Sequence, residues 1–175
     1  MRKPIPPGAF RELVDAVCED RYAAEDLEAF GPLEDWDVSE IEDFSRAFEG
    51  RATFNRDLSR WNTSRATTMH SMFALAATFN QPVDGWDVSH VTDMSNMFGD
   101  AYAFNQPLEG WNVSHVTDMA FMFTGAQAFN QPLERWDVSR VRDMSEMFAD
   151  AEAFSYGWLR PHMVPTLARR HTSFP

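Results

Sequence analysis

The chain has 175 residues, 44% of them hydrophobic, which is enough for one domain with a sizeable core. Its formal net charge of −12 argues against a nucleic-acid partner, because neutralising phosphates needs a face rich in lysine and arginine. The same charge argues against electrostatic binding to anionic membranes and permits a basic protein partner. The single cysteine, Cys18, excludes an intrachain disulfide.

Residues 1–35 are predicted to form an N-terminal helical cap. The spacing of apolar residues predicts a helix from Phe10 to Ala29, and Gly31-Pro32 is expected to end it. We interpret this helix as a cover for the open apolar end of the structure that follows. A helix that binds a partner is the alternative.

Residues 36–160 consist of five tandem copies of a 25-residue repeat. The tryptophans mark it first, at Trp36, Trp61, Trp86, Trp111 and Trp136. Two phenylalanine rows keep the same period, Phe48, Phe73, Phe98, Phe123, Phe148 and Phe54, Phe79, Phe104, Phe129, Phe154, and Met69, Met94, Met119 and Met144 form a fourth row with Phe44. A fixed period of this length is typical of a repeat solenoid, and it places these rows in the core.

Each repeat is predicted to contain one short β-strand and one short helix or 3₁₀ turn. Apolar and polar residues alternate over 108–113, which favours a strand. In the part of the repeat after the tryptophan, apolar residues are spaced three and four apart, as over 91–101. This spacing favours one or two helical turns closed by a glycine such as Gly99 or Gly125. Polar rows are assigned to the turns, including a stacked row at Asn55, Asn80, Asn105 and Asn130.

The last 15 residues, 161–175, are predicted to form a C-terminal capping tail over the last repeat. Neither a signal peptide nor an apolar stretch long enough to span a membrane is visible in the sequence. These features favour an intracellular location over a surface location and predict no membrane insertion.

No convergence of unlike groups indicates a catalytic site or a cofactor. His90 and His115 occupy the same repeat position, and a stacked pair could bind a transition metal or report pH, but we favour exposed turn residues. Rows of aspartate, such as Asp93 and Asp118, raise the possibility of Ca²⁺, but the spacing lacks a glycine-rich calcium loop. Accepting hydrogen bonds from turn N–H groups is the favoured role of these carboxylates, and no metal site is predicted.

Partner binding is assigned to the repeat positions that vary from copy to copy. One such row is Glu40, Arg65, His90, His115 and Arg140, and another is Arg46, Ser71, Asn96, Phe121 and Glu146. Phe121 stands out as an aromatic residue where its equivalents are polar. The predicted contact residues are therefore Arg65, His90, His115, Phe121 and Arg140, and a local packing role for Phe121 is the alternative.

The string W-D-V-S-x-V-T-D-M-S-x-M-F, followed by A-x-x-F-N-Q-P-L, resembles the 25-residue BspA-like repeat of mycoplasmal-type surface lipoproteins. That family is related to leucine-rich repeats, so the resemblance implies a leucine-rich-repeat-like solenoid with one strand per coil. It also implies binding or surface roles without enzyme activity or cofactor. The sequence thus predicts a non-enzymatic protein–protein interaction or structural module, such as one component of a larger assembly; an extracellular adhesin or glycan-binding protein is the alternative.

Overall fold

The segment before the repeats forms two short helices. In the computed structural model, which describes residues 3–155 and 157, α1 spans Phe10–Cys18 and α2 spans Ala24–Phe30. One-turn 3₁₀ helices lie at Pro7–Ala9 and Leu33–Asp35. The prediction of one continuous helix from Phe10 to Ala29 is therefore wrong.

The break after α1 is a hydrogen-bonded helix end. The N–H of Arg21 donates to the carbonyl of Ala16 at 2.7 Å, and the N–H of Asp20 donates to that of Val17 at 3.4 Å. Asp20 has a φ of +54° and so holds the left-handed position that glycine usually takes in this motif. Because aspartate replaces glycine here, the sequence gives only a weak stop signal. Gly31, with a φ of +78°, ends α2 as the sequence indicates.

Helix α1 lies against the first repeats through its buried face. Phe10, Leu13 and Val14 are buried at the helical spacing of three and four. The Phe10 ring centroid is 5.3 Å from that of Phe44 and 5.9 Å from that of Trp61, edge to face in both cases. These contacts shield the aromatic interior of the first repeats from water.

The repeats stack as successive coils, each beginning at a tryptophan of the 25-residue series. Coils one to five begin at residues 36, 61, 86, 111 and 136. The predicted interior rows are confirmed, since the aromatic and methionine rows are all buried. Along the row containing Phe98, neighbouring ring centroids are 5.4–5.7 Å apart and the rings are nearly parallel. The second phenylalanine of each coil stacks on the first, as Phe104 does on Phe98 at 3.9 Å.

The predicted leucine-rich-repeat-like solenoid with one strand per coil is wrong. Between residues 3 and 155 the structure contains only isolated parallel bridges, which join Asp43, Thr68, Asp93, Asp118 and Asp143 in series, and Pro4 to Asp37. Over 108–113 the N–H of Trp111 donates to the carbonyl of Leu108 at 3.0 Å, which curls the chain into a turn. The apolar residues there, Leu108, Trp111 and Val113, are all buried although the segment pairs with no strand among the described residues. The alternation of apolar and polar residues therefore reflects the burial of side chains by a turn.

The predicted short helix over 91–101 is also replaced by turns. The N–H of Met97 donates to Met94 within its own coil, whereas that of Phe98 donates to Met122 of the next coil. Asn96 has a φ of +56°, which no α-helix accommodates. The spacings of three and four therefore come from turns closed by bonds from residue i to residue i−3, with every other N–H free to bond the next coil.

Two rows of side-chain hydrogen bonds join the coils in addition to the backbone. The predicted asparagine ladder is confirmed: Asn55, Asn80, Asn105 and Asn130 each accept, through Oδ1, the backbone N–H found 25 residues later, at 2.9–3.1 Å. Four tryptophans donate the indole N–H to a carbonyl 28 residues earlier, as Trp111 does to Val83 at 3.0 Å; they are Trp61, Trp86, Trp111 and Trp136. The predicted C-terminal tail at 161–175 lies outside the described residues.

Replacing Gly125 with alanine should destabilise the fold. Gly125 has a φ of +66°, and an added Cβ would lie 2.3 Å from Oδ1 of Asp100. We expect Gly125→Ala to lower the free energy of unfolding by about 1–2 kcal/mol, measured by urea denaturation. Gly110→Ala is the matched control, because a Cβ there meets nothing within 4 Å. Equal stability of the two variants would contradict this assignment of strain.

Candidate functional site

The first variable row is solvent-exposed along its whole length. Glu40, Arg65, His90, His115 and Arg140 all follow a turn in which an Asp or Asn side chain accepts the backbone N–H of a serine two residues later. In coil three, for example, Oδ1 of Asp87 accepts the N–H of Ser89 at 2.9 Å, and His90 comes next. The turn fixes the backbone and leaves the following side chain facing solvent.

Members of this row differ in how free they are to meet a partner. The guanidinium of Arg65 is held by Glu40 at 2.6 Å and by Glu42 at 2.5 Å. Nδ1 of His90 lies 3.3 Å from the hydroxyl of its own neighbour, Ser89. For His115 and Arg140, no hydrogen bond or ion pair of the side chain is found within the described part of the chain. His115 and Arg140 are therefore the members of the row whose side chains are best placed to meet a partner.

Phe121 is exposed and lies on left-handed backbone. Its side chain is 45% exposed and its φ is +60°. All its repeat equivalents share this backbone conformation, with φ of 53–59° at Arg46, Ser71, Asn96 and Glu146. A bulky residue is uncommon there, whereas asparagine is tolerated. The coil geometry thus imposes the backbone conformation, and coil four places a large apolar ring where coil three has Asn96.

Exposed apolar residues also occur at two variable positions that sequence reasoning missed. Leu75 is 51% exposed with a φ of +61°, and Tyr102 is 45% exposed. The other coils have glycine or aspartate at the position of Leu75, and alanine, glutamine or glutamate at that of Tyr102. The same comparison between copies that singled out Phe121 would have found them.

His70 has partners that the sequence did not reveal. Its Nδ1 lies 2.8 Å from the hydroxyl of Ser95 in the next coil, and its Nε2 lies 3.2 Å from that of Ser71. Nδ2 of Asn96 donates to the same Ser71 hydroxyl at 3.1 Å. Ser71 is only 2% exposed, so this cluster joins coils two and three as a buried polar link.

The carboxylate rows are occupied by turn hydrogen bonds, as the sequence indicated. Oδ1 of Asp93 accepts the N–H of Ser95 at 2.9 Å and its hydroxyl at 2.6 Å. The hydrogen bonds from Ser89 hold the pKa of Asp87 below its ordinary value. Across the described residues, no group of three or more His, Cys, Asp or Glu side chains is placed to hold a metal ion.

A cleft of about 420 Å³ separates the end of α1 from the first coil. Its wall includes Cys18, Arg51 and Arg56. Arg51 donates to Asp15 at 2.6 Å and to Glu19 at 3.2 Å, and Arg56 forms a two-bond pair with Glu34 at 2.7 Å.

Those ion pairs fix the charge states around the cleft. The hydrogen bond from Arg56 holds the pKa of Glu34 below its ordinary value, and hydrogen bonds from Arg21 and then Arg51 do the same for Glu19. Burial raises the pKa of the Cys18 thiol, which keeps it protonated at neutral pH. Both arginines are thus positioned and largely neutralised.

Stacked coils with like residues in register define a tandem-repeat protein. The model of the family DUF285, described as a Mycoplasma protein of unknown function, matches residues 19–117 and 83–159. The chain belongs to this repeat family. Searches of the curated proteins and of the solved structures found no match. Among the helices that the structure describes, none is long and apolar enough to cross a membrane.

Proposed function

We propose that the chain is a non-enzymatic module that binds another protein through the variable positions of its coils. The observation that carries the proposal is Phe121, a 45% exposed aromatic ring on left-handed backbone. Such a conformation costs about 1–2 kcal/mol for a bulky residue. A residue that opposes stability and faces solvent is better explained by a contact outside the fold than by one inside it.

The charged residues of the other variable row suggest the chemistry of the partner. Phe121 supplies an apolar anchor of the kind found at the centre of protein interfaces. Arg65 is already paired with Glu40 and Glu42, so His115 and Arg140 are the better candidates for polar contacts. The overall charge of −12 favours a partner of positive net charge, with an apolar recess for Phe121 and a hydrogen-bond acceptor for Arg140.

The alternative proposal is an extracellular adhesin or glycan-binding protein of the BspA-like kind. Tyr102 and Phe121 offer exposed aromatic faces, which sugar rings also stack on. Localising the intact chain separates the alternatives, because a protein confined to the cytosol would exclude an adhesin.

The proposal is tested by giving Phe121 the residue of its own repeat equivalent. Phe121→Asn copies Asn96, which has nearly the same φ, so the free energy of unfolding should be unchanged or raised by up to about 1 kcal/mol. Binding of a physiological partner should fall by about tenfold or more. The measurement is quantitative affinity capture from native extract with the full chain as bait, beside thermal denaturation.

The matched control is Tyr102→Gln, which copies Gln127 and removes an equally exposed aromatic ring elsewhere. A partner retained by Tyr102→Gln and lost by Phe121→Asn supports the proposal. If Phe121→Asn and Arg140→Glu together leave every captured protein unchanged, these variable positions do not form the binding surface.

A further inference from the structure

Within the described structure, two backbone N–H groups of the first coil lack the acceptors that each later coil finds in the coil before it. In coils two to five, one backbone N–H donates to a carbonyl of the preceding coil at 3.1 Å, from Thr78, Ala103, Ala128 and Ala153 to Ala52, Ala77, Tyr102 and Gln127. Two residues later a second N–H donates to Oδ1 of the preceding asparagine, as Asn105 does to Asn80 at 2.9 Å. We call these two N–H groups of a coil its rung. The first is accepted by a main-chain carbonyl of the preceding coil, and the second by the side-chain oxygen of the asparagine three residues after that carbonyl.

Thr53 and Asn55 carry the equivalent donors in coil one. Among residues 3–155 and 157, no acceptor is hydrogen-bonded to the backbone N–H of either residue. Both residues line the cleft of about 420 Å³ beside α1. The N–H groups of their equivalents all point toward the preceding coil, so these two point into the cleft.

The electrostatics of the cleft favour a neutral ligand. Arg51 and Arg56 are held by Asp15, Glu19 and Glu34, and Asp20 adds a further negative charge to the wall. The carboxylates thus outnumber the guanidiniums, and a phosphate or a second carboxylate gains little there. Peptide and carboxamide oxygens satisfy the two N–H groups without added charge.

We propose that this open rung binds a peptide segment of a partner protein that adopts the turn of the later rungs, which the N–H of Phe104 and the carbonyl of Ala101 close in coil three. An asparagine of that segment accepts from the Asn55 N–H through its side-chain oxygen. A main-chain carbonyl three residues before that asparagine would accept from Thr53, as in every later rung. This is the addition of one rung to an exposed edge, in which main-chain hydrogen bonds supply affinity and one side chain supplies specificity. The site is separate from Phe121 and does not depend on the function proposed above.

A partner segment fits the open rung better than a second copy of this chain does. Helix α1 covers the core of the first coils through Phe10, and Arg11 donates to the carbonyl of Ser45, so a complete coil has no room to stack there in register. The last rung of the chain also carries Ser155 in place of asparagine. Only a short segment that follows the ladder enters the cleft.

The probe is a synthetic peptide with blocked ends that copies residues 101–108, Ala-Tyr-Ala-Phe-Asn-Gln-Pro-Leu. It is titrated into the ¹⁵N-labelled full chain and followed by NMR. The largest amide shifts are expected at Thr53 and Asn55. A control peptide with Asn105→Leu keeps the shape but lacks the acceptor and should bind at least about tenfold more weakly.

Two protein variants isolate the backbone donor. Thr53→Pro removes the N–H and should weaken peptide binding about tenfold or more, whereas Thr53→Ala keeps the N–H and should bind like the parent. If Thr53→Pro fails to fold, alkylation of Cys18 with N-ethylmaleimide in the folded chain obstructs the same cleft and should abolish the shifts. Phe121→Asn should bind the peptide normally, which separates failure here from failure of the function proposed above.

The outcomes divide cleanly. Shifts at Thr53 and Asn55 that are lost with Thr53→Pro or with alkylation support the proposal. Shifts confined to other coils, equal binding of the two peptides, or equal binding by Thr53→Pro and Thr53→Ala would overturn it. Concentration-dependent shifts of the same amides without peptide would show that a second copy fills the rung, and would also overturn it.

Discussion

Phe98→Ala should lower the free energy of unfolding by about 3–5 kcal/mol, the usual cost of removing a large aromatic ring from a packed core. Phe98 is fully buried, with its ring centroid 3.9 Å from that of Phe104 and 5.7 Å from those of Phe73 and Phe123. Its loss interrupts both the row along the stack and the pair within coil three. Urea denaturation followed by circular dichroism measures the change.

The control for this variant is Phe121→Ala, which removes the same side chain from an exposed position. It should change the free energy of unfolding by less than about 0.5 kcal/mol. Phe98→Leu should lie between the two, because it keeps part of the buried volume. Similar losses for Phe98→Ala and Phe121→Ala would contradict the placement of the phenylalanine row in the core.

Trp111→Phe should cost about 2–3 kcal/mol, more than the change in ring size alone predicts. The Trp111 indole N–H donates to the carbonyl of Val83 at 3.0 Å and is buried, so phenylalanine removes a buried hydrogen bond between coils. That carbonyl keeps only the backbone N–H of Trp86, at 3.1 Å. Chemical denaturation at two wavelengths of circular dichroism provides the measurement and checks that unfolding stays two-state.

Benzothienylalanine at position 111 separates the hydrogen bond from the packing. It keeps the shape of tryptophan and has sulfur in place of the N–H group. We expect this variant to have a free energy of unfolding about 1 kcal/mol or more below that of the parent, because the hydrogen bond is missing. A stability equal to that of the parent would mean that the indole contributes to the stack through packing alone.

The interior of this protein was predictable because stacking like residues leaves a direct mark in sequence. The Trp, Phe and Asn rows recur every 25 residues, and the structure buries or bonds each row against its own copies. The asparagine ladder followed from the same logic, since only a side-chain acceptor in register serves a turn N–H in every coil.

The local backbone was not predictable from the same pattern. Alternation over 108–113 and the three-and-four spacing over 91–101 both arise from turns, whose bonds to residue i−3 leave other N–H groups for the next coil. The left-handed φ at Asn96 and Asp100 decides against a helix, and asparagine and aspartate mark such positions less clearly than glycine does. Periodicity therefore predicts the wrong secondary structure for a chain whose backbone hydrogen bonds run between copies of the repeat.

The candidate site was predictable in part. The exposure of Arg65, His90, His115 and Arg140 followed from their variation between copies. Variation did not predict the environment of Ser71, which shares its row with Phe121 but is 2% exposed because Asn96 and His70 cover it. Nor did it reveal the cleft at the first rung, which exists only because a repeat is absent below coil one.

The opposed directions of the bonds between coils have an electrical consequence. In coil three, N–H groups of Met94, Asn96, Phe98 and Asp100 point toward the next coil, while those of Thr92, Ala103 and Asn105 point toward the preceding coil. Peptide dipoles along the stack therefore largely cancel, unlike those of an α-helix, which add to about half a unit charge at each end. A ligand at the proposed first-rung site would therefore be held by individual N–H donors and not by the summed field of the peptide dipoles. Peptide binding at the first rung should accordingly change little with ionic strength.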